Sequence, residues 1–142
     1  MSQVDFYVLK AAGEGARHHF ACRLAEKAYR LDNRVHIHAR NADDVRRLDE
    51  LLWTFRDGSF VPHGLADSSD GTEASPIVIG FGAAGAGARD LLINLCDEIP
   101  ACIEGFPRVA ELVTSDENCR KLSRERYAAY RDQGHELNTH NL

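Results

Sequence analysis

Apolar residues along the chain follow two periods in turn, one typical of strands and one typical of helices. Runs rich in β-branched and aromatic residues predict strands at 4–9, 34–39, 77–81, 90–95 and 108–114. Helices are predicted at 17–31, 42–55, 99–106 and 116–131. Strands that alternate with helices predict a single α/β domain over 1–142, with helices on both faces of the sheet.

The predicted helices have defined ends and buried faces. In the first helix, Phe20, Leu24 and Leu31 fall on one side, so we expect them to face the core. Asn41 is placed to cap the second helix, where two acids follow in the first turn. Ser115 is predicted to cap the last helix in the same way.

The composition limits the class of protein. With 44% hydrophobic and 27% charged residues, the 142-residue chain resembles an ordinary soluble globular protein. No apolar run is long enough to cross a bilayer, and the N-terminus lacks a leader pattern, which predicts a cytoplasmic protein. The net charge of −5 argues against a protein that coats nucleic acid by bulk electrostatics, so any anion has to be bound locally.

Histidines and cysteines give little indication of catalysis or metal binding. His36 and His38 would share one face of a strand and could hold a metal together, but no third ligand is spaced to complete the site. A polar strand face explains them equally well. Without any C-x-x-C pair, we expect reduced, buried thiols at Cys22, Cys96, Cys102 and Cys119. No nucleophile motif is present, so we predict no catalytic residue, no metal and no cofactor.

The segment GFGAAG (80–85) matches the dinucleotide-binding pattern G-x-G-x-x-G. That pattern requires a helix to begin at once, so that the helix N-terminus meets the pyrophosphate. The residues that follow, AGAGARD, are too rich in glycine for a firm helix start. We interpret Gly80–Gly85 as a connecting loop, with a nucleotide-binding enzyme as an alternative.

The segment 120–131 concentrates positive charge in an acidic chain, with five basic residues against a single acid, a local charge of +4. On a helix, one stripe within about 60° contains Arg120, Arg124, Tyr127 and Arg131. The core face of this helix is predicted to contain Leu122, Ala129 and Tyr130. Exposed helices ordinarily mix charges of both signs, so the stripe indicates an anion-recognition surface. Arginines bind carboxylates or phosphates through two hydrogen bonds at once, and a ring beside them packs an apolar group.

Aromatic residues cluster at the end of the second predicted helix and in the segment after it, where SFVPH (59–63) is predicted to be an extended piece among loop-forming residues. Core packing would explain one isolated aromatic residue. An apolar docking surface explains the cluster equally well. Its members are Trp53, Phe60, Pro62 and His63.

These two surfaces together resemble the chi subunit family of bacterial DNA polymerase III. The matching segments are LDELLW with SFVPH downstream, and SRERYAAYRDQGHELNTH at the C-terminus. The opening DFYVL strand, the order of elements and the length agree, so the resemblance covers essentially the whole chain. It implies a Rossmann-like three-layer α/β fold with a mostly parallel or mixed sheet, without a nucleotide, in a non-enzymatic accessory protein of the clamp-loader complex.

The resemblance also implies two protein partners. One is the acidic C-terminal tail of single-stranded DNA-binding protein, which ends in Pro-Phe and a free carboxylate. Its expected site contains Arg120, Arg124, Tyr127 and Arg131. The other is the psi subunit, which connects the family to the clamp loader, and its expected site contains Trp53, Phe60, Pro62 and His63.

One position departs from the family pattern, because Ala128 stands where some members carry a lysine next to the tyrosine. Arg131 is placed to compensate for that missing charge. Contact with DNA is expected to be mainly indirect, through the tail. A direct binder of single-stranded nucleic acid, using the same basic helix, remains the alternative.

Overall fold

Seven strands and three helices are present in the part of the chain that the computed structural model describes, namely residues 2–55, 62–65, 75–81, 89–100, 103 and 105–142. The strands are β1 (Gln3–Val8), β2 (Val35–Ala39), β3 (His63–Leu65), β4 (Ile77–Phe81), β5 (Leu91–Asn94), β6 (Arg108–Val113) and β7 (Glu136–Asn141). The helices are α1 (Glu14–Arg30), α2 (Ala42–Thr54) and α3 (Glu117–Asp132). No helix among these residues is both long and apolar enough to cross a membrane.

The described strands form one parallel sheet in the order β3-β4-β2-β5-β6-β1-β7, with β3 and β7 at its edges. Helices α1 and α2 pack on one face of the sheet over a shared apolar cluster, and α3 packs on the other face over a second cluster. This arrangement confirms the predicted Rossmann-like three-layer fold. Because all strands are parallel, their carboxyl ends share one side of the molecule, where α1, α2 and α3 each begin.

All five predicted strands are present, but the sequence does not predict β7. Apart from Leu137, its residues (ELNTHN) are polar, and most are exposed, so they show no alternation of apolar and polar positions. Backbone pairing holds the strand instead: Glu136 N donates to Ser2 O at 3.1 Å, and Leu142 N donates to Val8 O at 3.1 Å. An edge strand can therefore form without an apolar pattern when its neighbour supplies the hydrogen bonds.

The helix caps follow the prediction for α2 and differ from it for α3. Asn41 Oδ1 accepts a hydrogen bond from Asp44 N at 2.9 Å, as expected of an N-cap. The N-cap of α3 is Asp116, so the prediction of Ser115 is wrong. The Asp116 carboxylate accepts bonds from Thr114 Oγ1 and Gly13 N, both at 2.7 Å, and so ties the start of α3 to the start of α1.

The buried face of α3 contains Tyr130 as predicted, but its other buried residues are polar. Its buried residues are Ser123, Arg126 and Tyr130, whereas Leu122 and Ala129 are only half-buried. Arg126 Nε donates to the fully buried Glu111 Oε1 at 3.0 Å, and Tyr130 Oη donates to Glu111 Oε2 at 2.6 Å. Arg126 therefore belongs to an internal ion pair, and its charge is not part of the exposed basic surface.

Candidate functional site

The exposed stripe of α3 borders a groove at the carboxyl ends of β1, β6 and β7. Arg120, Arg124 and Tyr127 line the groove from α3, and its volume is about 210 Å³. The other lining residues are Phe6, Val8, Val113, Ser123 and Thr139. This site is termed the α3 groove below. Arg131 is exposed on the same helix but does not line it.

The α3 groove combines an apolar wall with two arginines. The ring centroids of Tyr127 and Phe6 are 5.3 Å apart, and Tyr127 keeps 37% of its surface exposed. An apolar cavity of about 150 Å³ accommodates benzene, so this groove has room for one aromatic ring. Within the described residues, Arg120 and Arg124 form no ion pair, which leaves both guanidinium groups available to an anion beside that ring.

Local geometry explains how these residues meet. Phe6 and Val8 are alternate residues of β1 and share the face that α3 covers, and Phe6 pairs with Thr139 across β1 and β7. The alternation in β1 could have identified Phe6 and Val8 as groove residues from the sequence. Thr139 offered no such signal, because its strand was not predicted.

The predicted aromatic cluster lies near the opposite edge of the sheet, where α2 ends and β3 runs. Trp53 is 44% exposed, and its ring centroid lies 4.4 Å from that of His63. His63 Nε2 lies 2.8 Å from Asp49 Oδ1, which fixes the imidazole against α2. Pro62 is half-buried, and Phe60 lies outside the described residues. The surface formed by Trp53, Pro62 and His63 is termed the Trp53 surface below. It lies beside β3, and β3 is roughly 30 Å from β7 across the sheet, at about 4.8 Å per strand spacing.

His36 and His38 share one face of β2, with ring centroids 5.7 Å apart, and both side chains are buried. Burial, together with the neighbouring His38 and Arg89, lowers the pKa of His36 to about 4. The imidazole is therefore neutral at pH 7. The described residues supply no third ligand within reach of this pair.

One cluster in the described residues has the spacing of metal ligands: Glu14, His18 and Asp44, whose ligand atoms lie within 4.8 Å of one another. Arg40 Nε donates to Asp44 at 2.8 Å, and its Nη2 lies 3.6 Å from Glu14. Arg17 Nη1 also pairs with Glu14, at 2.9 Å. Guanidinium groups thus already supply the positive charge that a metal would bring, and we assign no metal here.

The remaining predictions are only partly described. Gly80 lies inside β4 and pairs with His38, and the rest of the glycine segment, 82–85, lies outside the described residues. Cys22 is buried, which raises the pKa of its thiol to about 12, so it remains protonated as expected of a core residue. Cys96 and Cys119 are half-buried free thiols, and Cys102 is outside the described residues.

The fold and these surfaces define an α/β domain that presents shallow, partly apolar exposed surfaces near both edges of its sheet. The chain belongs to the DNA polymerase III chi subunit family, since the family model described as DNA polymerase III chi subunit, HolC, matches residues 1–138. This confirms the resemblance found in the sequence.

Three relatives, each named DNA polymerase III subunit chi, match the chain over nearly its full length. The protein of Pseudomonas aeruginosa is 43% identical over 142 residues, which cover 100% of this chain and 98% of the relative. That of Haemophilus influenzae is 34% identical over 140 residues, with 97% and 96% covered. That of Escherichia coli is 33% identical over 144 residues, with 98% and 97% covered.

Proposed function

We propose that this chain is a non-catalytic accessory subunit of DNA polymerase III that connects two protein partners. One partner is the acidic C-terminal tail of single-stranded DNA-binding protein, and the other is the psi subunit, through which the chain joins the clamp loader. The observation that carries the proposal is the α3 groove, which places two unpaired arginines beside a cavity for one aromatic ring. The proposal also puts the chain in the cytoplasm, at the replisome on the nucleoid.

The chemistry of the α3 groove matches the end of such a tail. The terminal phenylalanine ring would lie between Tyr127 and the apolar side chains of β1, where it leaves water. Its free carboxylate, and the acids before it, would accept hydrogen bonds from Arg124 and Arg120. Arg131 lies one turn beyond Tyr127 and would contribute long-range attraction, since it does not line the groove.

The Trp53 surface supports the second half of the proposal. An exposed tryptophan against a fixed imidazole, with a half-buried proline preceding that histidine in the chain, is the kind of anchor that protein interfaces use. We assign psi binding to Trp53, Pro62 and His63, together with Phe60. Because this surface and the α3 groove lie near opposite edges of the sheet, both partners would bind at the same time without competing.

Fluorescence anisotropy with a labelled peptide that ends in acidic residues, Pro-Phe and a free carboxylate tests the tail-binding half. We expect Arg124→Ala to weaken binding by about 1–3 kcal/mol, the loss typical of one charged hydrogen-bonding anchor. Lys121→Ala is the matched control, because Lys121 is an exposed cation on α3 that does not line the groove. A peptide without the final phenylalanine should lose most of its affinity.

Two outcomes would contradict this function. If Lys121→Ala and Arg124→Ala weaken binding equally, the peptide recognises general positive charge and not the groove. If single-stranded DNA binds and the peptide does not, the basic helix contacts phosphates directly. In that case the affinity for DNA should fall steeply with salt.

A further inference from the structure

An apolar ridge along α1 keeps part of its surface exposed, although its sequence pattern predicts core packing. Leu31 is 65% exposed, and Phe20 and Leu24 are only half-buried. The face of α1 that packs on the sheet uses small residues instead, and these are Ala21, Cys22, Ala25 and Ala28. Small residues bring the helix close to the sheet, so Phe20 and Leu24 pack only against the margin of the core, and Leu31 lies outside it.

The ridge forms one side of an open groove of about 500 Å³ next to the β7 edge of the sheet. Tyr7 of β1 and Leu142, which follows β7, line the other side, and Leu142 is 48% exposed. The Tyr7 ring lies 5.6 Å from that of Phe20, so the groove has a continuous apolar floor. This site is termed the α1 groove. Adjacent residues of a strand face opposite ways, so Tyr7 and Phe6 place the α1 groove and the α3 groove on opposite faces of the sheet.

Three cations follow one flank of the ridge. Arg23, Lys27 and Arg30 are all exposed, and their helical positions lie about 20–80° to one side of Phe20. The acid that lines the groove, Glu26, is buried and lies 3.8 Å from the Arg30 guanidinium. No described acid forms an ion pair with Arg23 or Lys27. The groove is thus apolar with a positive rim, in a chain whose net charge is −5.

We propose that the α1 groove docks a short acidic peptide segment of a partner protein, with one bulky apolar side chain in the groove and carboxylates on Arg23 and Lys27. Charge complementarity selects this occupant, because the exposed cations attract carboxylates. The apolar floor favours a peptide over a nucleic acid, since a nucleic-acid backbone has no apolar side chain to bury there. The site is independent of the proposed tail site, because the two grooves share no lining residue.

The test uses the full-length protein labelled with ¹⁵N and a synthetic peptide in which aspartates flank a central phenylalanine. The peptide is acetylated and amidated, so it lacks the free terminal carboxylate expected of the tail. We expect saturable shifts of the amide signals of residues 20–31 and Leu142, with Kd below about 1 mM. Arg23→Glu and Leu31→Asp should each raise Kd by at least about tenfold. The first variant replaces attraction of the peptide's carboxylates by repulsion, and the second replaces an apolar contact by a charge.

Arg47→Glu is the matched control for the charge reversal, since Arg47 is an exposed cation on α2 away from the groove. Both groove variants change exposed side chains, and their melting temperatures should confirm folding. Shifts confined to the α3 groove would overturn the proposal, as would no saturation up to about 1 mM. An equal loss in Arg47→Glu would also overturn it, because the attraction would then depend on total charge.

Discussion

Replacing Arg126 by alanine should destabilise the fold although the residue lies in the most basic segment of the chain. Arg126 is 4% exposed and pairs with Glu111, which is 0% exposed. Its remaining donors are also used: Nη1 donates to Asp97 O at 2.8 Å, and Nη2 donates to Ser123 Oγ at 3.1 Å. The substitution would leave the Glu111 carboxylate buried without its counter-charge.

The size of the effect follows from that unpaired charge. Breaking a buried ion pair from one side costs about 3–5 kcal/mol. In a domain of this size, a loss of that size lowers the melting temperature by roughly 10 °C or more. Arg124→Ala, two residues away on the exposed side of α3, should change the free energy of unfolding by no more than about 0.5 kcal/mol.

Urea unfolding followed by far-UV circular dichroism measures both variants under the same conditions. Adding Glu111→Gln to Arg126→Ala should recover about 1–2 kcal/mol, because the amide removes the buried charge and still bonds to Tyr130 and Asn94. The reasoning fails if Arg126→Ala costs no more than Arg124→Ala. It also fails if adding Glu111→Gln to Arg126→Ala lowers the free energy of unfolding further instead of recovering part of it.

Two further predictions concern pH and the second partner. His36 has a pKa of about 4 in the fold, against an ordinary value of 6.5, mainly because burial disfavours the charged ring. The unfolded chain therefore takes up a proton first as pH falls, and about 3 kcal/mol of stability is lost between pH 6.5 and 4. His36→Leu should flatten the pH dependence of the unfolding free energy in that range, and an unchanged slope would contradict this. Trp53→Ala should weaken psi binding by at least about 2 kcal/mol in calorimetry, while the tail peptide binds unchanged.

The buried strands could be predicted from the sequence because their chemistry is uniform. IVIGF (77–81) and DLLINL (90–95) contain continuous apolar residues, as expected of parallel strands covered on both faces, and β4 and β5 lie there. β7 could not be predicted, since backbone hydrogen bonds to β1 hold its largely polar residues. Such bonds do not depend on the side chains, so the order of apolar and polar residues does not reveal them.

Helix periodicity identified α1 but not the side of its apolar stripe that faces the sheet. Leu31 was expected in the core, yet Ala25 and Ala28 make the contact. The charge count of α3 likewise overstated the exposed positive charge, because it included Arg126, whose charge is buried against Glu111. A single acid in the apolar strand RVAELV (108–113) was the available signal, since a buried carboxylate requires a donor.

The internal ion pair also bears on binding, because Arg126 lies on α3 between Arg124 and Tyr127. Its bonds to Glu111 and to Asp97 O fasten the middle of the helix to the sheet. The exposed residues that line the α3 groove are therefore presented by a helix that is already fixed, and little conformational entropy is lost when a peptide binds. A variant that breaks the pair should weaken tail binding as well as the fold, even though Arg126 itself does not line the groove.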